Sequence, residues 1–196
     1  MGGWTRVEGQ AAGLALENID TDQLIPARFM SAPRSQGYGG FLLYDLRHDN
    51  DGKPIAGFPL NQGKASILVA RRNFGCGSSR EAAVYALVDG GFRVVIAPSF
   101  GDIFAANSVN NGLLPARVSE ADADRLIAAA PLALEVDLEG MRIAGAGYDI
   151  GFELDPVWRR KLMNGWDDID LTAIHSGQIT EFAERRRKAA PWVWSG

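Results

Sequence analysis

The segment Asn73–Arg80 reads Asn-Phe-Gly-Cys-Gly-Ser-Ser-Arg, and it gathers the residue types best suited to chemistry in this chain. Gly75 and Gly77 can take backbone angles closed to other residues and let a ligand approach the main chain closely. Ser78 and Ser79 bring hydroxyls, and Arg80 brings a planar fork of donors matched to a carboxylate. The residues that follow, Ala82–Val88, are all apolar and predict a helix from about Ser79 to Asp89 that is buried all round. A glycine-rich turn entering such a helix brings unpaired backbone N–H groups and the positive helix end to one point, where anions bind. Two readings follow. The apolar helix fixes the loop so that it holds an anionic substrate, or Ser78 or Ser79 caps the helix while Arg80 pairs with Glu81 or another neighbour.

Familiar loop signatures do not fit. A phosphate-binding P-loop needs lysine before its Ser/Thr, where this chain has Gly77 before Ser78. The dinucleotide fingerprint fails because Arg80 stands at its third glycine, and a hydrolase elbow fails because its serine must lie between the glycines. Cys76 has no histidine near it in sequence and is read as a packing residue. Asp49–Gly52 resembles part of a calcium loop, but no glutamate closes it, so it is read as an ordinary turn.

The elements that must position the loop are legible around it. Ala65–Ala70 and Phe92–Pro98 are short apolar runs suited to buried strands, so the loop and its helix complete a β–α–β unit with parallel strands covered by helices. A second helix is expected after Ser99, with that serine as N-cap and Gly112 near the end. Ser119 opens another helix, the runs Leu132–Gly140 and Gly147–Leu154 alternate like strands, and Asp155, Pro156 and Gly165 frame a helix. A terminal helix covers part of Ile174–Lys188. The first third is rich in Gly, Pro, Asn and Asp and reads as short strands joined by long loops, with Ser31–Gly40 as a flexible flap.

The totals exclude several classes. The chain has 196 residues, 46% of them hydrophobic, which suits one domain over 1–196 with a full core. A formal charge of −4 with mixed signs gives no basic stripe for nucleic acid. No apolar run is long enough for a membrane span and the first residues lack a secretory signal, so a cytoplasmic protein is expected. Cys76 is the single cysteine and His48 and His175 are the two histidines, which leaves no disulfide, no thiolate-rich metal site and no multi-histidine zinc site to build.

Five motifs, Asn18–Phe29, Asn73–Glu81, Gly91–Phe104, Asn111–Pro115 and Met163–Thr172, occur in an order that resembles the small subunits of 3-isopropylmalate dehydratases, a separate-chain form of the aconitase swivel domain. The resemblance spans roughly Ala15–Trp192. It implies an α/β fold, the swivelling β/β/α domain of the aconitase superfamily with a parallel β–α–β core. It also implies a large subunit carrying a four-iron four-sulfur cluster, no metal bound by this chain, and a small dicarboxylate as substrate. The implied reaction is the interconversion of 2-isopropylmalate and 3-isopropylmalate through isopropylmaleate in leucine biosynthesis.

The resemblance also assigns roles. Ser78 matches the serine that acts, as its alkoxide, as general base, with Gly77 at the substrate and Ser79 as donor to substrate or loop. Arg80 matches the arginine that binds a substrate carboxylate. Asp22 matches an acid of the N-terminal motif, catalytic in one reading and in the other an Asx-turn residue that organises the loop. Arg34 matches the arginine of a mobile substrate-recognition loop, with Arg28 as a competitor, and Tyr38, Phe41 and Leu42 shape a pocket or pack the core. The chain departs from the family pattern at Ala82, where histidine is usual, and at Val84–Tyr85, where Pro-Trp is usual. Related enzymes hydrate citraconate, maleate or dimethylmaleate, so the substrate's side chain stays open, as does a non-catalytic anion-binding module.

Overall fold

The computed structural model describes residues 2–194; Met1, Ser195 and Gly196 of the expected 1–196 span lie outside the described residues. Among the described residues seven strands form one sheet: β1 (Arg6–Leu14), β2 (Ile67–Ala70), β3 (Val94–Ala97), β4 (Leu114–Arg117), β5 (Leu132–Asp137), β6 (Arg142–Gly145) and β7 (Tyr148–Gly151). Their order is β4-β3-β2-β1-β5-β6-β7. β1 to β4 run parallel, in registers such as Ala11↔Ile67, Ile67↔Val94 and Val94↔Leu114, while β5 to β7 add an antiparallel meander to the other edge of β1. All four residues of β2 and of β3 are buried, as parallel strands covered on both faces require. Leu68 and Ala70 face one apolar cluster with Leu87 and Phe92, and Ile67 and Val69 face the other with Leu114 and Leu126.

Two one-turn helices, α1 (Thr21–Leu24) and α2 (Tyr44–Arg47), punctuate the long connection from β1 to β2. Helix α3 (Glu81–Asp89) joins β2 to β3, α4 (Asp102–Asn110) joins β3 to β4, and α5 (Glu120–Ala129) joins β4 to β5. The expected parallel β–α–β unit is therefore present. Ser119 caps α5 by accepting from Asp122 N–H, and α6 (Pro156–Asn164) has Asp155 at N-cap, Pro156 first and left-handed Gly165 just past its end. After α7 (Asp168–Ala173), the terminal helix α8 runs Ser176–Ala189. Helix α3 departs slightly from burial all round: Ala83, Val84, Ala86 and Leu87 are buried, but Ala82, Tyr85 and Val88 are partly exposed.

Two expectations need correction. Ser99 does not cap α4; Gly101 does, and the Ser99 hydroxyl instead accepts the backbone N–H of Asn73 at 2.8 Å. The first third, read as short strands joined by long loops, instead holds the nine-residue β1, the pivot between the parallel and antiparallel halves, followed by short helical turns up to β2. Ser31–Gly40 is built from 3-10 turns at Arg34–Gln36 and Gly39–Phe41, fastened to α3 as described below. Tyr38 and Leu42 are buried and Phe41 packs against the same core cluster. At Asp49 the turn reading holds, its carboxylate accepting from the N–H groups of Asp51 and Lys53. Among the described residues no helix is long and apolar enough to cross a membrane.

Candidate active site

Because β1, β2 and β3 are parallel, the loops leaving their C-terminal ends meet on one side of the sheet, the usual place for a ligand in such folds. The Asn73–Arg80 loop lies between the other two and is bonded to both. Toward the first loop, Gly75 N–H donates to Ile19 C=O at 2.7 Å, Thr21 N–H to Cys76 C=O at 3.0 Å, and Asn73 Nδ2 to Asn18 Oδ1 at 2.8 Å. Toward the third, Phe74 N–H donates to Ser99 C=O and Gly101 N–H to Phe74 C=O. The path needs left-handed backbone at Asn73, Gly75 and Gly77, with φ of 60°, 72° and 90°. At Gly75 the need is also steric, since a Cβ would run into the Phe104 ring.

This framework carries Ser78 outward. The buried Thr21 hydroxyl donates to Ser78 C=O at 2.8 Å and fixes the backbone on which the serine stands. Gly77, Ser78 and Ser79 are exposed. Neither serine hydroxyl, and none of the three backbone N–H groups, makes a hydrogen bond among the described residues. The capping alternative is thereby excluded: α3 starts at Glu81, its N-cap is Arg80, and no side chain caps it. Arg80 does not pair with Glu81 either. Its Nη1 donates to Asp22 Oδ1 and lies 3.7 Å from Met30 Sδ. Asp22 sits in the first turn of α1, whose N-cap Asp20 forms a capping box with Gln23, so the local backbone cap is made by Asp20 while the Asp22 carboxylate holds Arg80.

Asp22, Gly77, Ser78, Ser79 and Arg80 are thus brought together, and Thr21 joins them. Arg34 is not. Its guanidinium is held by Asp89, the last residue of α3, whereas Arg80 is the N-cap at the opposite end of that helix. Arg28 pairs with Asp45 and lies over the rings of Phe29 and Tyr44. Cys76 is partly buried, and burial followed by the nearby Asp20 charge pushes its thiol up from the ordinary value, which suits packing rather than nucleophilic attack. The sequence reading had no role for Asp89, although an acid at a helix C-terminus opposes the helix dipole and so calls for a partner elsewhere.

An exposed serine, free amides and a fixed arginine on a rigid strand-to-helix loop are half of an anion site. The family model of the aconitase C-terminal domain matches residues 1–121. The chain belongs to the aconitase C-terminal domain family. Three curated relatives of similar length carry the name 3-isopropylmalate dehydratase small subunit. That from Caulobacter vibrioides (strain NA1000 / CB15N) is 45% identical over 98% of this chain and 99% of its own. That from Geobacillus kaustophilus is 46% identical over 93% and 96%, and that from Bacillus subtilis 45% over 91% and 93%. The crystal structure of 3-isopropylmalate dehydratase from Methanocaldococcus jannaschii aligns with a TM-score of 0.69 at 25% identity, covering 90% of this chain and 98% of that one. In this aconitase-family domain no three His, Cys, Asp or Glu side chains among the described residues group as a metal site.

Proposed function

We propose that the chain is the small subunit of a hydro-lyase, a 3-isopropylmalate dehydratase, which completes its active site only on a cluster-bearing large subunit in the cytoplasm. The observation that carries the reading is the presentation of Ser78: an exposed hydroxyl with no partner among the described residues, on a backbone fixed by Thr21, beside Arg80. The near full-length likeness to named small subunits supports the substrate class.

In this reading Ser78 Oγ, as the alkoxide, takes the proton from the substrate carbon next to a carboxylate. A serine hydroxyl is too weak an acid to do this unaided, so the loop must favour its ionised form. The free N–H groups of Gly77 to Ser79, the N-terminus of α3 and the Arg80 charge all lie on the side that does so. Arg80 has Nη1 engaged by Asp22 and Met30, which leaves its Nε and Nη2 edge for a substrate carboxylate. One cysteine cannot hold an iron–sulfur cluster, so in this reading the group is carried by the partner, where it would supply Lewis acidity at the departing hydroxyl. The open face around Ser78 also calls for a partner, because proton abstraction of this kind needs a site closed to water.

The test is an anaerobic assay of the chain alone and mixed with the cluster-loaded large subunit of its own organism, against 2-isopropylmalate, citraconate and maleate. Turnover of 2-isopropylmalate in the mixture alone is expected. Activity confined to citraconate or maleate would move the assignment to a related dehydratase, and no activity with a loaded partner would overturn it.

A further inference from the structure

The flap arginine and the last residue of α3 form a latch. Arg34 Nη1 and Nη2 grip the two oxygens of Asp89 at 2.5 and 3.0 Å, a fork-to-fork pair of the kind arginine makes with a ligand carboxylate. Tyr38 N–H, on the other limb of the flap, donates to the same carboxylate at 2.6 Å. The guanidinium lies over the Tyr85 ring, 4.4 Å from its centroid, one turn earlier on the same helix. The fit extends to the backbone: a Cβ at Gly39 would stand 2.6 Å from Asp89 C=O, so the flap rests directly on the helix end. Its base is pinned where Phe29 stacks on Phe41 with centroids 4.5 Å apart. Within it, Gly37 takes a φ of 73°, and a Cβ built at Gly40 would meet nothing within 4 Å.

We propose that Asp89 is a positioning residue that parks Arg34 away from the catalytic loop, and that a bound dicarboxylate competes with Asp89 for it. The inference rests on the dehydratase reading above. The Arg34 side chain is 47% exposed and that of Asp89 20%, so the pair is an accessible one that a ligand carboxylate can exchange for. While latched, Arg34 is held at the end of α3 opposite the one that Ser78 precedes. The fraction of enzyme with a free flap therefore scales the apparent substrate affinity.

The experiment has two readouts. Hydrogen exchange on the full chain alone follows residues 31–40, and steady-state kinetics follow the chain mixed with its large subunit. Asp89→Asn, which loses the charge, is expected to speed exchange across the flap at least tenfold and to lower KM several-fold with kcat within twofold. Asp89→Glu should return both toward wild type, and Arg34→Ala should raise KM. Tyr85→Leu, which removes only the ring under the guanidinium, should show a smaller change of the same sign if Asp89→Asn does not fold. An unchanged KM, or a KM that rises in Asp89→Asn as in Arg34→Ala, overturns the latch. An inactive wild-type mixture would instead strike the dehydratase reading, and flap exchange unchanged by Asp89→Asn would overturn the latch on its own.

Discussion

Asp22 and Arg80 meet across 58 residues of sequence, the Asp22 carboxylate on α1 accepting from Nη1 of Arg80 at the N-cap of α3. The contact fixes the plane of the guanidinium and so decides which edge a ligand meets. Arg80→Lys keeps the charge but cannot both hold Asp22 and grip a carboxylate with two parallel bonds. Loss of one charge-assisted bond is worth about 1.5–3 kcal/mol, so kcat/KM should fall roughly 10- to 100-fold. Asp22→Asn, which keeps an acceptor, should raise KM by less. Steady-state kinetics of the reconstituted enzyme read both, and an Arg80→Lys enzyme within threefold of wild type would place Arg80 off the substrate.

Ser78 separates chemistry from stability. Its hydroxyl is exposed and bonded to nothing among the described residues, while its C=O is the atom that Thr21 holds. Ser78→Ala removes the first and keeps the second. Unfolding should shift by no more than about 0.5 kcal/mol, as for other surface changes, whereas kcat should fall at least 10²-fold, about the lower end of what a positioned base contributes. Thr21→Val should do the opposite in part, lowering the melting temperature and kcat together. Thermal melts beside the assay distinguish the two patterns.

Gly75 and Gly77 are both left-handed, yet they should respond differently to alanine. At Gly77 the nearest atom to an added Cβ is Asp20 Cβ at 3.4 Å, an ordinary contact, so Gly77→Ala meets mainly the backbone penalty of about 1–2 kcal/mol. At Gly75 the Cβ would enter the ring of the buried Phe104, adding an overpacking cost of about 1–3 kcal/mol. Denaturant melts should therefore rank Gly75→Ala well below Gly77→Ala. Equal losses would mean that Phe104 can swing away.

What the sequence made legible is what local chemistry decides. Ser119, and the Asp155-Pro156 and Gly165 pair, cap helices by contacts with their own near neighbours, and the apolar runs of β2 and β3 are buried on both faces. What it hid depends on distant partners. β1 reads poorly as a strand because it carries Gly9 and Gly13, and the structure shows why: a Cβ at Gly13 would stand 2.9 Å from Ala130 Cβ and Ile127 C=O. Its strand character is imposed by β2 and β5 rather than by its own propensity. Ser99 looked like a cap until Asn73 claimed its hydroxyl, and nothing in the composition of Ser31–Gly40 reveals its contact with Asp89. One local signal did go unread. Asp20 with Gln23, and Asp167 with Asp170, are capping boxes that announce α1 and α7.

The C-terminal helices hang on an uneven ion pair. Lys161 on α6 is buried, its side chain 3% exposed, and it donates to Asn110 Oδ1 on α4 and, at 2.6 Å, to Asp168 Oδ1 on α7. Asp168 is 73% exposed. Removing the buried member strands Asn110 as well, so Lys161→Met should cost about 1.5–3 kcal/mol, while Asp168→Asn, at a screened site, should cost less. The hydrogen bond from Lys161, then that from Asn110, holds the Asp168 carboxyl below its usual range. A folded-state value lowered in this way stabilises fully above the ordinary carboxylate pKa of about 4, and the effect is lost as the pH falls through it. The difference in melting temperature between wild type and Asp168→Asn should accordingly be constant from pH 7 to 5 and shrink below about pH 4. A difference that instead stayed constant in acid would mean that protonated Asp168 still accepts usefully from Asn110, and that α7 is held by a neutral network rather than by the Lys161 charge.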